Sequence, residues 1–255
     1  MKILASDFDG TLKIDKEVSD KDIAKIKEFQ SNGNLFGICT GRSATFLQNF
    51  IYDKGIKLDF FVGCNGSYIN YKDYEKSYII EPNIVKSIYT KFNNDVINTC
   101  FKQKDKSYFI KNNSLFSKLF YNFTEKGKRY KKYKNEYTDK DVLMVTLTII
   151  TKRKLLKIRN QLLDEWGEQL NVICGDHWID ISVKQGRKDK GILELQKVMN
   201  INHDQIYVIG DSENDYEMLE TFHSFGIIND DPNIRRKSEI MVRTVNEAID
   251  ILLKE

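Results

Sequence analysis

Proline is almost absent from this sequence: Pro82 and Pro232 are the only two in 255 residues. No internal repeat and no low-complexity segment is found, so neither a repeat array nor a disordered linker organises the chain. Long apolar runs are missing too. The most apolar stretch, Val142 to Ile150, contains Thr146 and Thr148 and is far too short for a membrane span. Charge of one sign is not in excess, since 40 Lys and Arg face 37 Asp and Glu. That balance gives no electrostatic reason to expect nucleic acid or membrane as a partner. Cysteine is scarce and scattered. Cys39, Cys64, Cys100 and Cys174 mostly sit inside apolar runs and read as reduced core thiols, not as a zinc site or a disulfide framework. Met1-Lys2 leads straight into an apolar strand, so no signal peptide is expected and a cytoplasmic location is.

Hydrophobic residues make up 41% and charged residues 30%, the balance of a globular chain long enough for one large domain or two modest ones. The stretch that organises it is Asp7-Phe8-Asp9-Gly10-Thr11, directly after the short apolar run Ile3-Leu4-Ala5. If strand geometry persists to its end, Asp7 and Asp9 point the same way and crowd two carboxylates into one space. Like charges held together need a cation or a proton, which points to a metal site or an acid/base pair. A calcium loop of the EF-hand kind is excluded, because it needs a ligand at Thr11 and its glycine two positions later.

Beyond this motif, strand and helix alternate. Ser19 caps a helix to Asn32 with Ile23, Ile26 and Phe29 on one face, and Gly33 stops it. Leu35 to Cys39 is a buried strand that feeds Thr40-Gly41-Arg42-Ser43 and a helix through Phe46, Leu47 and Phe50. A strand, glycine turn and helix in that order present free backbone N–H groups to an anion. Phe60 to Val62 is a third strand, and Asn65-Gly66 is a turn or hairpin signal. The alternation predicts a parallel sheet with helices on both faces.

From Pro82 to about residue 182 the order becomes helix, strand, strand, helix, strand, helix, strand, strand, an α+β insert. It includes a helix from Thr151 to Trp166 and a hairpin across Gly175-Asp176, beside which His177 and Trp178 are candidates for setting substrate choice. Residues 102–140 carry 12 Lys and Arg against 4 Asp and Glu, interleaved with Tyr and Phe. A solvated basic face explains this better than a nucleic-acid patch, and such a face could also attract an anionic small molecule. The alternation then resumes. Lys190-Gly191 opens a helix, Ile206 to Ile209 is a strand ending in Gly210-Asp211-Ser212-Glu213-Asn214-Asp215, and Met218 and Leu219 lie on the next helix. Phe225 to Ile228 is a strand ending at Asn229, and a last helix starts near Val245.

Asp7 and Asp9, Thr40, and Asp211 with Asn214 and Asp215 thus gather at the C-terminal ends of predicted parallel strands, the edge where open α/β sheets bind ligands. Four converging carboxylates call for a hard divalent cation, and Mg²⁺ fits oxygen donors best. On these motifs the chain resembles a haloacid dehalogenase superfamily phosphatase of the Cof-like type. Asp7 to Thr11, Thr40-Gly41-Arg42, Lys190-Gly191 and Gly210 to Asp215 match its four motifs in order, and the insert falls where that family carries its larger cap.

The resemblance implies a Rossmann-like α/β core, residues 1–81 and 183–255, with an inserted α+β cap, 82–182, that selects substrate. It implies that Asp7 attacks phosphorus and becomes an aspartyl phosphate, while Asp9 protonates the leaving alcohol and then deprotonates water. Thr40 and Lys190 would stabilise the transferring phosphoryl group. Mg²⁺ would be held by Asp7, the Asp9 backbone carbonyl, Asp211 and Asp215. Gly10, Gly41, Arg42, Asn65, Gly66, Asn214 and Asn229 would lie on the phosphate or substrate side. To act as an acid, Asp9 needs its side chain off the metal, near a charged neighbour that raises its pKa. The expected substrate is a phosphorylated small metabolite and the expected state a monomer or weak homodimer. A phosphomutase on the same scaffold is the alternative. A receiver-type phospho-accepting module is disfavoured, being about half this length with its aspartate on a middle strand.

Overall fold

The computed structural model describes residues 1–44, 47, 51, 54–112, 115–123 and 134–254. Strand β1 (Ile3–Ser6) is buried along its whole length, as its unbroken apolar run dictates. Helix α1 (Asp20–Ser31) begins where the Ser19 hydroxyl accepts from the Asp22 N–H, and it buries Ile26 and Phe29. Strand β2 (Leu35–Cys39) follows. Of the expected next helix, Ala44, Leu47 and Ile51 are helical and buried, while Phe46 and Phe50 lie outside the described residues. Strand β3 (Phe60–Gly63) enters a tight turn, Cys64–Gly66, and the chain doubles back into β4 (Tyr68–Tyr71) and β5 (Tyr74–Ser77).

The insert adds α2 (Pro82–Phe92), β6 (Asn98–Lys102), β7 (Ser107–Lys111), α3 (Leu115–Phe123), β8 (Met144–Thr148), α4 (Lys152–Trp166), β9 (Leu170–Cys174) and β10 (Trp178–Val183), in the expected order. Its antiparallel sheet has the strand order β7-β6-β8-β10-β9. One face is apolar: Phe101, Val145, Leu147, Ile179 and Ile181 pack with Val85, Ile88, Leu155, Ile158 and Leu162 of α2 and α4. The other face alternates to polar residues, where Thr148 pairs with Asn98 and the Thr146 hydroxyl donates to the Asp180 carboxylate. Part of the basic segment, 124–133, lies outside the described residues.

The chain closes with α5 (Lys188–Met199), β11 (Ile206–Gly210), α6 (Tyr216–Thr221), β12 (His223–Ile227), α7 (Pro232–Lys237), β13 (Ile240–Val242) and α8 (Val245–Leu252). These strands join β1 to β5 in an eight-stranded sheet of order β13-β12-β11-β1-β2-β3-β4-β5. Pairing is parallel from β13 to β3 and antiparallel in the β3-β4-β5 meander. The motif strand β1 is therefore central, flanked by β11 and β2.

Two compact units result, Met1–Ser77 with Gly186–Glu255, and Tyr78–Gln185. The insert is a few residues longer at each end than 82–182 because flanking backbone is tied into it. The Ile80 N–H donates to the Val142 carbonyl at 2.8 Å, and the Lys184 N–H donates to the Gln169 carbonyl at 3.1 Å.

Candidate active site

Strand β1 ends at Ser6, and one more ladder bond, from the Asp7 N–H to the Ile209 carbonyl at 2.9 Å, fixes Asp7 at the strand tip. The chain then turns, with the Lys13 N–H on the Phe8 carbonyl and the Gly10 N–H on the Lys13 carbonyl. This turn breaks the two-residue alternation expected to place Asp7 and Asp9 together. Their side chains diverge: Asp7 is 4% exposed, whereas the Asp9 side chain is 43% exposed.

Asp7 faces a lysine, and that lysine is Lys188, not Lys190. Lys188 is the first residue of α5 and is 2% exposed, and its Nζ lies 2.5 Å from both Asp7 Oδ1 and Asp215 Oδ1. Lys190 is exposed. Helical geometry accounts for the correction. Lys188, Gly191, Ile192 and Leu195 are all buried at spacings of three, four and seven, so Lys188 belongs to the inner face and Lys190, two residues on, does not. That spacing is the sequence signal that identifies the buried lysine.

Asp211 and Asp215 come from the tip of β11. The Asp215 carboxylate is fully buried, and its Oδ2 accepts the N–H groups of Asp211 and Ser212 at 3.0 and 3.1 Å. Asp211 Oδ1 accepts the Thr11 hydroxyl at 2.6 Å. Gly10 is required beside it: φ is +93°, and a Cβ there would sit 2.2 Å from Asp211 Oδ2. One ligand oxygen each from Asp7, Asp211 and Asp215 lies within 4.8 Å of the others.

Burial raises the Asp7 pKa well above the carboxylate range, and Asp215 and Asp211 add to this against the opposing charge of Lys188. Asp211 is pushed up to about 6, by burial first and then by the charge of Asp215. Burial alone would lower the Lys188 pKa, but Asp215 and Asp7 outweigh it and hold the ammonium charged. With all three carboxylates ionised, one ammonium would leave two negative charges uncompensated in this largely buried cluster. An all-oxygen donor set with that deficit fits a hard divalent cation.

Asp9 lies outside this cluster. The Arg42 Nε donates to its Oδ2, Arg42 Nη2 donates to Oδ1 at 2.8 Å, and Lys13 Nζ donates to Oδ1 at 3.1 Å. Burial would raise the Asp9 pKa, but the hydrogen bonds and charges of Arg42 and Lys13 outweigh it and lower the pKa below the usual carboxylate value. This corrects the expectation of a neighbour that raises it, because both neighbours are cations. Lys13 is a site-edge residue that the motif reading did not include.

The remaining candidates occupy neighbouring strand ends. Thr40 is buried at the tip of β2; its N–H donates to the Val62 carbonyl at 2.8 Å, and its hydroxyl accepts from the Arg42 N–H at 3.3 Å across Gly41. Asn65 is fully buried with φ of 54°, and its N–H donates to the Thr40 carbonyl at 2.9 Å. Gly66 has φ of +102° and lies against the Arg187 backbone, where a Cβ would come within 2.1 Å of the carbonyl oxygen. Asn214 Nδ2 reaches Asn65 Oδ1 at 3.3 Å, which links two of the expected substrate-side residues. Asn229 Nδ2 donates to the Asp211 carbonyl at 2.7 Å, so its amide braces the acidic strand end.

The model of the haloacid dehalogenase-like hydrolase family matches residues 4–250, and the chain belongs to that family. An uncharacterised protein of Mycoplasma capricolum subsp. capricolum is 28% identical over 266 residues, covering 96% of this chain and 98% of its own. Among solved structures, a sugar phosphatase of haloacid dehalogenase subclass IIB has a TM-score of 0.79 at 17% identity, over 100% of this chain and 98% of its own. A haloacid dehalogenase-like hydrolase from B. subtilis has a TM-score of 0.81 at 19% identity, covering 97% and 96%. One from Bacteroides thetaiotaomicron has a TM-score of 0.78 at 17%, covering 98% and 99%. The fold is therefore that of the family, and the chain is a hydrolase.

Proposed function

We propose that this hydrolase cleaves phosphomonoesters of small metabolites, sugar phosphates among them, with Mg²⁺ and through a phosphoryl group carried on Asp7. The observation that carries the reading is the largely buried cluster of Asp7, Asp211 and Asp215, in which Lys188 bridges Asp7 and Asp215 and the formal count of carboxylates exceeds that of cations. Asp7, Asp211 and the Asp9 backbone carbonyl would hold Mg²⁺, with Asp215 beside them. When bound, the ion neutralises the carboxylates and the transferring phosphoryl oxygens.

Asp7 Oδ attacks phosphorus, the bond to the leaving oxygen breaks, and an aspartyl phosphate forms. Lys188 takes the place assigned to Lys190; its charge screens Asp7 from Asp215 and offsets the negative charge of the phosphoryl oxygens. Thr40 and the N–H groups of the turn after β2 offer donors to those oxygens. In the free protein Asp9 is a carboxylate held by Arg42 and Lys13, set as a base for water in the second half-reaction. To give a proton to the leaving alcohol in the first half, it must leave that clamp. The subclass IIB sugar phosphatase likeness supports the substrate class. Every residue given a chemical role lies outside the insert, so we assign substrate choice to Tyr78–Gln185.

The test is phosphate release from a panel of phosphorylated metabolites by the purified chain, with Mg²⁺ and with excess chelator. Turnover is expected with Mg²⁺ alone and is abolished by Asp7→Asn and by Asp211→Ala. Full turnover in chelator, or in Asp7→Asn, overturns the reading.

A further inference from the structure

The loops that follow β11 and β12 are tied together by one phenol. Tyr216 comes directly after the buried Asp215, at the start of α6. Its hydroxyl donates to Asp231 Oδ2 at 2.5 Å and accepts from Asn233 Nδ2 at 3.2 Å. The Asp231 N–H donates to Asn229 Oδ1 at 2.9 Å, and Asn229 Nδ2 donates to the Asp211 carbonyl at 2.7 Å. The route from Tyr216 to Asp211 is thus unbroken, and it joins the tips of two adjacent parallel strands.

Capping of α7 does not account for this arrangement. Asp231 Oδ1 already caps that helix by accepting the Asn233 N–H at 2.9 Å, which leaves Oδ2 for Tyr216. Asn229 lies outside α7 and spends both ends of its amide on the link. The Tyr216 ring is also held from above, with Lys237 Nζ 5.2 Å from its centroid and Lys237 itself paired with Glu220. Burial and the acceptor Asp231 push the Tyr216 pKa up to about 12, so the phenol remains a donor.

We propose that Tyr216, acting through Asp231 and Asn229, is a positioning residue for Asp211: the link fixes the peptide from which the Asp211 carboxylate projects and so presets a metal-binding oxygen. The inference rests on the proposal that the acidic cluster holds Mg²⁺. Partners beyond the ligands typically govern metal affinity by about 10- to 100-fold, and a residue further out acts at or below the low end of that range.

The experiment is Mg²⁺ titration of the full chain by calorimetry, for the wild type, Tyr216→Phe, Asn229→Ala and the double variant. Tyr216→Phe is expected to weaken Mg²⁺ binding roughly 3- to 10-fold and Asn229→Ala about 10-fold, in keeping with such outer partners. Because the residues act in series, the double variant binds no more weakly than Asn229→Ala alone. In turnover, the Mg²⁺ concentration for half-maximal rate rises with Tyr216→Phe, while the rate at saturating Mg²⁺ changes less than about twofold. Asp231→Asn, which keeps the cap oxygen but weakens the acceptor, is the second variant should Tyr216→Phe fold poorly, and it reproduces the effect. Wild-type Mg²⁺ affinity in both Tyr216→Phe and Asp231→Asn overturns the inference, as does full additivity in the double variant. Absence of Mg²⁺ binding by the wild type overturns the metal reading itself, which separates the two failures.

Discussion

A lysine that bridges two buried carboxylates cannot be removed as a surface lysine can. Lys188→Met takes the ammonium away from Asp7 and Asp215, at a place where burial already resists the charge of Asp7. Breaking a buried pair from one side costs about 3–5 kcal/mol, and protonation of the stranded Asp7 places this case near the low end. Turnover is expected to fall to background and urea unfolding to show a loss of about 3 kcal/mol. Lys190→Met touches an exposed side chain and is expected to stay within about 0.5 kcal/mol of the wild type with turnover kept. The opposite ranking of the two variants would return the catalytic role to Lys190. Asp9 has a different signature, because its carboxylate lies outside the acidic cluster. On the proposed mechanism, Asp9→Asn keeps the nucleophile and removes the proton carrier. An aryl phosphate, whose phenolate departs unaided, should release about one phenolate per enzyme and then stall as the aspartyl phosphate. An alkyl phosphate should be slowed in the first step itself. Rapid-mix kinetics that slow both leaving groups equally, with no burst, would remove Asp9 from the acid/base role.

Strand tips are the element on which this site is built, and they were the most legible part of the chain. β1, β2 and β11 are short apolar runs that end in Asp7, Thr40 and Asp211, and pattern alone was enough to find them. The insert's element order was legible for the same reason. What pattern missed has local causes. β4 and β5 carry Tyr, Asn, Lys and Glu on a sheet edge, and α7 and β13 have six and three residues, too short to show a period. The direction of Asp9 depended on where the strand stops, which a hairpin closed by Lys13 decides. Lys188 was hidden by a motif match two residues along, although helical spacing marked it. The tips also set a pH dependence. Asp211 has its folded pKa raised from 3.8 to about 6, so folding favours its protonated form. The metal-free protein therefore gives up stability as pH rises from the unfolded value through that midpoint. On the proposed function, Mg²⁺ would have to displace this proton to bind. The rise in melting temperature on adding Mg²⁺ is expected to be small one pH unit below the midpoint and large one unit above it. An equal rise at both pH values would mean that Asp211 is not the group Mg²⁺ meets.

At the scale of the molecule, the proposed function places chemistry and recognition in different units, and each unit has a core of its own. Asp7, Asp9, Thr40, Lys188, Asp211 and Asp215 all belong to Met1–Ser77 and Gly186–Glu255. The insert buries its apolar sheet face under α2 and α4. That polar face carries Asp180, held by the Thr146 hydroxyl with Lys102 Nζ 3.9 Å away. Trp178 is a weaker candidate for substrate choice than the hairpin position suggests, since its ring packs where a Cβ on Gly175 would stand and so holds the turn. Substitutions on the polar face are therefore the ones expected to move specificity. Asp180→Asn and Lys102→Met should alter the ratio of kcat/KM between phosphorylated metabolites of different shape. Turnover of a small aryl phosphate, which offers the insert few groups to recognise, should stay within about threefold, since the change is in substrate binding and not in the reacting groups. A comparison of kcat/KM across the panel decides the matter. If aryl and metabolite phosphates decline in parallel in both variants, the insert supports the core's chemistry and does not select its substrate.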